Sequence, residues 1–211
     1  MKRRTILVAA AVAGLCGPLA AQTAFPPAKP ITLYVGFAPG GAADAAARLI
    51  AKKLSENIGQ SVVVENKAGA GGNIVHQQVA QGPGDGTALL LGSIGPLTIA
   101  PHMMKVGYDP FKDLAPISGG VNFPNLLVVH PGTGIRNMAE FIAAAKAKPN
   151  NVSYASTGNG SASHLTGELF AARVGSEMLH VPYKGGAPAM NDLLGGRFTG
   201  YFSAPPTSLP H

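Results

Sequence analysis

The pattern of apolar and polar residues between positions 31 and 54 predicts a strand followed by a helix. Residues 31–37 carry an apolar side chain at every second position, which is the period of a strand with one buried face. In residues 46–54 the apolar side chains recur instead at helical spacing. The two patterns are joined by Ala38-Pro39-Gly40-Gly41, so the stretch predicts a strand, a glycine-rich loop and a helix.

The same order of strand, glycine loop and helix recurs along the chain. It predicts helices at residues 73–81, 138–147, 165–170 and 187–194 and further strands at 62–64, 88–91, 152–155, 178–181 and 198–202. Extended segments are predicted at 114–121 and 125–129, and Asn122-Phe123-Pro124 between them is interpreted as the passage between two domains. Asn137 with Glu140 predicts a capping box. Alternating strands and helices predict an α/β fold with a mostly parallel sheet.

The strand-to-helix loops of such a fold lie along one edge of the sheet, where ligands bind. Helix starts at that edge present unpaired N–H groups, and glycine lets a bound group approach the main chain without a Cβ in the way. One glycine loop alone is better explained as a tight turn, but five such loops favour a main-chain site for an anion. None of the loops ends in the Gly-Lys-Ser/Thr of a P-loop, and none has the full dinucleotide fingerprint.

The first 21 residues predict a secretory signal peptide. Lys2-Arg3-Arg4 precedes an apolar run from Ile6 to Leu15, and small residues follow up to a cleavage site near Ala21. The apolar run is shorter than the roughly 20 residues that a membrane span needs. Export to the periplasm is therefore predicted, by general secretion or, because of the paired arginines, by the twin-arginine route. The single cysteine, Cys16, lies within this segment.

Charge and composition exclude several classes of function. The predicted signal holds three of the sixteen basic residues and none of the ten acidic ones, so the net charge falls from +6 to +3 without it. The remaining Lys and Arg are scattered without an aromatic platform, which argues against nucleic-acid binding. The six histidines never pair at metal-ligand spacing, so no metal or other cofactor is predicted. Ser161, Ser163 and His164 lack a G-x-S-x-G elbow and indicate a cap or pocket wall rather than a hydrolase.

Four side chains near the glycine loops have two interpretations each. Asp44 lies in the first turn of its helix, where the helix dipole stabilises a carboxylate, so a structural role and a ligand contact stay equally open. Lys184 is either a cation for an anionic ligand or a solvated side chain. Tyr183 and Phe37 lie at the ends of strands, where each side chain either lines a pocket or packs in the core.

Six linked motifs extend from about residue 30 to the end of the chain. They are VGFAPGGAADAAARLIAKKL, GQSVVVENKAGAGGNI, GDGTALLLG, YDPFKDLAPIS, YASTGNGSASHLTGELF and VPYKGGAPAMNDLLGG. With the predicted signal, they resemble the Bug family of extracytoplasmic solute receptors of tripartite tricarboxylate transport. The resemblance implies a Venus flytrap of the type II periplasmic-binding-protein class, a receptor rather than an enzyme, that closes on a small carboxylate. An exported α/β enzyme acting on a carboxylate or phosphate is the alternative.

The resemblance also implies which residues contact the ligand. In the first lobe they are Phe37, Ala38, Gly40, Gly41, Asp44, Gly71, Gly72 and Asn73. In the second lobe they are Thr157, Gly158, Asn159, Ser161, His164, Tyr183 and Lys184. Members of the family often carry Ser or Thr after the paired glycines, where this chain has Ala42. A hydroxyl contact is lost there, but the main-chain amides remain. The implied partners are a small carboxylate and a membrane permease, with the receptor as a monomer.

The predicted domains are the signal at 1–21, a first α/β lobe at 22–123 and a second α/β lobe at 124–211. Two lobes of ordinary size need roughly 250–300 residues, and this chain has 211. We therefore expect the architecture to be C-terminally incomplete, without the return of the chain to the first lobe. Exposed strand edges and apolar faces are expected to follow.

Overall fold

A computed structural model describes residues 25–211, and the predicted signal peptide with its cleavage site near Ala21 lies outside the described residues. The strands are β1 (Ile31–Val35), β2 (Val62–Asn66), β3 (Ala88–Leu91), β4 (Leu126–Val129), β5 (Ser153–Ser156), β6 (Leu179–Pro182) and β7 (Gly200–Ser203). The helices are α1 (Ala42–Ile58), α2 (Asn73–Ala80), α3 (Ala100–Met103), α4 (Met138–Ala147), α5 (Ala162–Val174), α6 (Gly186–Leu194) and α7 (Pro205–Ser208). A π-helical turn, Gly95–Ile99, precedes α3.

The strands form two separate sheets. In the first sheet β1 lies between β2 and β3, and all three strands are parallel. The second sheet has the order β4-β7-β5-β6, and β4 runs antiparallel to β7. All strands of the first sheet precede residue 123, and all strands of the second sheet follow residue 124. We call residues 25–123 the first lobe and residues 124–211 the second lobe. The predicted α/β fold is confirmed.

Buried apolar side chains form the core of each lobe. In the first lobe Leu33 and Val35 of β1 pack against alanines of α1. In the second lobe one cluster contains Tyr154 and Phe202, and a second cluster is built around Tyr201. The loops that follow these strands are therefore anchored at one end to a packed sheet. None of the helices in the described part of the chain is long and apolar enough to span a membrane.

The expected extended segment at residues 114–121 forms no strand. Pro116 has no N–H for a sheet ladder, and the side chains of Ile117 and Val121 are 83% and 51% exposed. These apolar residues therefore join neither a sheet nor a core among the described residues. The other predicted strands agree with the observed ones to within two residues at each end.

Local sequence determines how several helices begin. The predicted capping box is present in part at α4, where Glu140 N–H donates to Asn137 Oδ1 at 3.0 Å. The Glu140 carboxylate accepts the side-chain Nδ2 of Asn137 at 2.8 Å and the N–H of Arg136 at 2.7 Å, rather than the N–H of Asn137 itself. In contrast, α1 and α6 are preceded by Gly41 and Gly185 and have no side-chain cap. The N-cap residue itself therefore offers no side-chain acceptor to the N–H groups at these two helix starts.

Replacing Asn137 with alanine is expected to lower the free energy of unfolding by about 1 kcal/mol, because the Glu140 N–H loses its acceptor. Urea unfolding followed by circular dichroism measures this change. Asn57→Ala is the control, since Asn57 is an exposed residue of α1 whose side chain has no hydrogen bond within the described chain. Equal losses in the two variants would contradict a capping role for Asn137.

Candidate functional site

The glycine loops of the two lobes are in direct contact. Ala38, in the loop after β1, donates its N–H to the carbonyl oxygen of Lys184, in the loop after β6, at 2.9 Å. A Cβ built on Gly41 would lie 3.4 Å from the nitrogen of Gly186 and 3.5 Å from that of Ala187. The first turns of α1 and α6 therefore face each other across the two lobes.

A second contact joins the loop before α2 to the loop after β5. Gly71 has a φ of +64°, and a Cβ added there would overlap the carbonyl oxygen of Asn159. A Cβ on Gly158 would lie 3.0 Å from the nitrogen of Gly71, and one on Gly95 would lie 2.6 Å from the carbonyl oxygen of Gly160. Only glycine lets the two main chains approach so closely. Contact between the lobes thus explains the glycines at these positions.

The facing helix starts of α1 and α6 bring main-chain donors together. The N–H groups of Gly41, Gly186 and Ala187 have no acceptor within the part of the chain that the structure describes. The N–H of Ala42 donates to Thr207 Oγ1 at 3.0 Å, and a Cβ built on Gly186 would lie 3.0 Å from that same oxygen. The positive ends of both helix dipoles also point to this place. Such an arrangement suits an anion such as a carboxylate or a phosphate.

Hydrogen bonds from α5 hold the loop after β5 in shape. Thr157 N–H donates to Ser163 Oγ at 2.9 Å, and His164 N–H donates to Ser161 Oγ at 3.3 Å. His164 also accepts the N–H of Gly160 through Nδ1 at 3.2 Å. The loop that contacts the first lobe is therefore supported by side chains of its own lobe.

His180 of β6 lies next to this loop in a cluster of aromatic rings. Its ring stacks on the ring of His164 with centroids 4.1 Å apart and on that of Tyr154 at 5.0 Å. Its Nε2 is hydrogen-bonded to the hydroxyl of Ser156 at 2.6 Å. Burial and, to a smaller extent, His164 lower the pKa of His180 to about 4, against an opposing effect of Glu168. The imidazole of His180 is therefore neutral at pH 7.

Lowering the pH from 7 to 5 is expected to destabilise the protein through His180. The pKa of histidine in an unfolded chain is about 6.5, whereas that of folded His180 is about 4. Between these values the unfolded state binds more protons, so the free energy of unfolding decreases as the pH is lowered. Urea unfolding at pH 7, 6 and 5 measures this slope. The variant His180→Gln is expected to show a shallower slope, although His76, whose pKa burial also lowers, retains its contribution. Identical slopes would contradict the prediction.

Asp44 is buried beside the loop after β1. Its Oδ2 accepts the N–H of Gly40 at 3.0 Å and the Nε–H of Arg48 at 2.9 Å. Burial by itself raises the pKa of Asp44, but the hydrogen bonds from Arg48 and Gly40 outweigh it, so the pKa lies below its usual value. The carboxylate is thus ionised and supports the glycine loop from behind. A direct contact between Asp44 and a ligand stays a prediction.

Two further predicted ligand residues make internal hydrogen bonds. Asn73 accepts the hydroxyl of Tyr108 at 2.8 Å, and its Nδ2 donates to the carbonyl of Ala70 at 2.7 Å. The Tyr183 hydroxyl donates to Asp192 Oδ2 at 2.8 Å, and burial together with this bond raises the pKa of Tyr183 to about 12. Their roles as ligand contacts stay predictions.

Most of the predicted site residues lie at or next to one of the two lobe contacts. Phe37, Ala38, Gly40, Gly41 and Lys184 lie at the contact between α1 and α6; Gly71, Gly72, Gly158 and Asn159 lie at the contact between α2 and α5. Residues that the sequence prediction missed are Gly95, Gly160, Gly185, Gly186 and Thr207. The pair Gly185-Gly186 repeats the pair Gly40-Gly41 and was a usable signal in the sequence.

Two surface depressions lie away from the contacts between the lobes. Both are on the second lobe, around Ala171 and Ser176 near the end of α5. Among the described residues, His, Cys, Asp and Glu form no group of three or more that suits a metal ion. The two sets of loops meet by direct contact of their main chains.

Comparison with known proteins identifies the family. The family described as "Tripartite tricarboxylate transporter family receptor" matches residues 46–210. BugT of Bordetella pertussis is 40% identical over 203 residues, which cover 95% of this chain and 62% of that protein. The solved structure of Rpa4515 of R. palustris with adipate is 37% identical, with a TM-score of 0.82, and the match covers 89% of this chain and 62% of that chain. MatC from Rhodopseudomonas palustris with malate is 28% identical, with a TM-score of 0.80, over 87% of this chain and 63% of that chain.

The chain thus spans a little over three fifths of the length of these relatives. The matches confirm the resemblance to the Bug receptors and the type of fold that it implied, since the neighbouring structures include the periplasmic binding protein BugD at a TM-score of 0.79. Receptors of this family are solute-binding proteins, so the alternative of an exported enzyme is not favoured. The chain belongs to the tripartite tricarboxylate transporter receptor family.

Proposed function

We propose that the protein is a periplasmic receptor that captures a small carboxylate between its two lobes and presents it to the membrane permease of a tripartite tricarboxylate transporter. The facing starts of α1 and α6 carry this proposal, because they bring unpaired N–H donors from both lobes to one place. The relatives solved with adipate and with malate support a carboxylate as the ligand.

In this proposal one carboxylate end of the ligand binds the main chain of Gly40-Gly41 and the facing residue Gly186. Each helix start adds about 0.3–1 kcal/mol for a negative charge at a partly exposed site. The exposed side chain of Lys184, which lies next to this contact, adds a positive charge. The loop of residues 157–161 closes over the other end of the ligand. Closure requires the contact of Gly71 with Asn159, so the bound form displays a surface that the open form lacks.

The remaining parts of the proposal concern the protein before and after binding. Residues 1–21 act as the export signal, and the receptor works as a monomer. Small di- and tricarboxylates, acidic amino acids and aromatic acids are the candidate ligands. The closed receptor then docks on the permease, which takes up the ligand when the lobes open.

A thermal melt of the purified chain with malate and with adipate tests the proposal. A ligand at 100 times its dissociation constant is expected to add about 2.7 kcal/mol to the free energy of unfolding, so the melting temperature should rise with its concentration. Malamide and adipamide, the diamides of the two acids, are matched controls without charge and should give no shift. Equal shifts with the acids and the diamides, or no shift with any of them, would contradict carboxylate binding. Conversion of either acid to a product would favour the enzyme alternative instead.

A further inference from the structure

We infer that the hydroxyl of Ser93 donates a hydrogen bond to the bound ligand and makes Ser93 a specificity-determining residue of the first lobe. The inference rests on the proposed function and adds a side-chain hydroxyl to a site built mainly from main-chain donors. Ser93 comes two residues after β3. Because β3 pairs in parallel with β1, Ser93 lies at the same sheet edge as the loop after β1.

The hydroxyl of Ser93 is shielded from solvent and lacks a hydrogen-bond partner among the residues that the structure describes. The main chain around it is held in place. Ser93 N–H donates to Nε2 of His76 at 3.2 Å, and the Ser93 carbonyl accepts the N–H of Leu97 at 3.1 Å. Buried hydroxyl groups nearly always have a partner, because leaving one unpaired opposes folding. The Ser93 hydroxyl is therefore left free to donate to a group that does not belong to the described chain.

The surroundings of the hydroxyl point to the ligand as its partner. A Cβ built on Gly72 would lie 3.7 Å from Ser93 Oγ and 3.6 Å from the tip of the Phe37 ring, and both of these residues are predicted ligand contacts. Gly71, next in the chain to Gly72, touches the second lobe, and so does Gly95, two residues beyond Ser93.

A ligand that enters between these loops when the lobes open would meet a hydroxyl that makes no hydrogen bond within the described chain. A carboxylate oxygen only accepts hydrogen bonds, so it complements a free O–H donor. The hydroxyl then selects acids whose second carboxylate or hydroxyl oxygen extends to the end of β3. The distance between the two polar ends of an acid becomes part of the specificity.

Ser93→Ala tests the inference, with Ser176→Ala as the matched control. Ser176, just after α5 on the second lobe, also has a shielded hydroxyl without a partner in the described chain, and it lies away from the lobe contacts. Without ligand, both variants are expected to melt at the wild-type temperature or above it, because each loses an unpaired buried group. Calorimetric titration with malate and adipate is expected to show binding weakened roughly tenfold or more in Ser93→Ala alone, as for a lost hydrogen bond to a charged group.

The possible outcomes separate this inference from the proposed function. Wild-type affinity of Ser93→Ala for both acids would overturn the inference and leave the proposed function intact. A lower melting temperature of Ser93→Ala without ligand would show that the hydroxyl has a structural partner, which also overturns it. If the wild-type protein binds neither acid, the proposed function fails, and the inference fails with it.

Discussion

Replacing Gly71 with alanine is expected to weaken the binding of malate or adipate roughly tenfold or more. The added methyl group would overlap the carbonyl oxygen of Asn159 in the second lobe, so the two loops cannot approach as they do in the structure. The atoms nearest to the added methyl group belong to the main chain, so no side chain can change its rotamer to relieve the overlap. The lobes are then held apart, and a ligand between them loses its contacts with one lobe. Isothermal titration calorimetry measures the loss.

Gly59→Ala is the matched control for Gly71→Ala. Gly59 follows α1 with a φ of +66°, close to the +64° of Gly71, but a Cβ added to Gly59 meets nothing within 4 Å. Both variants are therefore expected to lose about 1–2 kcal/mol of stability from backbone strain in the left-handed region. Only Gly71→Ala should lose affinity as well. Equal affinities in the two variants would show that contact between Gly71 and Asn159 plays no part in binding.

Replacing Gly167 with alanine is expected to lower the free energy of unfolding by about 2–3 kcal/mol, the largest effect on stability. Gly167 lies inside α5, where alanine normally stabilises a helix by about 1 kcal/mol relative to glycine. Here, however, the added methyl group would overlap the ring of Tyr154, which is fully buried. That ring is packed at right angles to Phe202 and stacked on His180, so it has no free space to enter.

A double-mutant cycle with Tyr154→Leu isolates this clash. In the Tyr154→Leu background the ring is absent, so Gly167→Ala is expected to cost little or to stabilise the helix. Urea unfolding of the four proteins gives the coupling free energy between the two positions. The same cost of Gly167→Ala in both backgrounds would show that the overlap with the ring is not its cause.

The sequence predicted local structure well where the decisive contacts are a few residues apart. Asn137 and Glu140 are three residues apart, and the predicted cap by Asn137 is present, although Glu140 accepts the N–H of Arg136 in place of that of Asn137. The strand at residues 88–91 has the predicted bounds, because its apolar run is bounded by glycines. The prediction failed at 114–121, where an apolar and β-branched stretch suggested an extended segment. Those residues have no neighbouring strand to pair with in the described chain, and periodicity contains no information about neighbours.

For the candidate site, sequence identified the loops but not the partners of individual residues. Gly41 and Gly71 were singled out as parts of a main-chain site, yet only the structure shows that they touch Gly186 and Asn159. The hydrogen-bond partners of Asp44 and Tyr183 are likewise visible only in the structure, and their contacts with a ligand stay predictions. Asp44 is hydrogen-bonded to Gly40 and Arg48, and Tyr183 to Asp192, all within their own lobes.

By itself the sequence determined the order of strands, glycine loops and helices, the cap of α4 and the membership of a receptor family. These features depend on side chains that are close in the chain, and on motifs that can be compared one by one. Only the tertiary structure decided which loops face each other, that β4 is antiparallel and that Thr207 accepts the N–H of Ala42, 165 residues away. Such contacts depend on strand order and on the packing of one lobe against the other, so no local pattern of residues determines them.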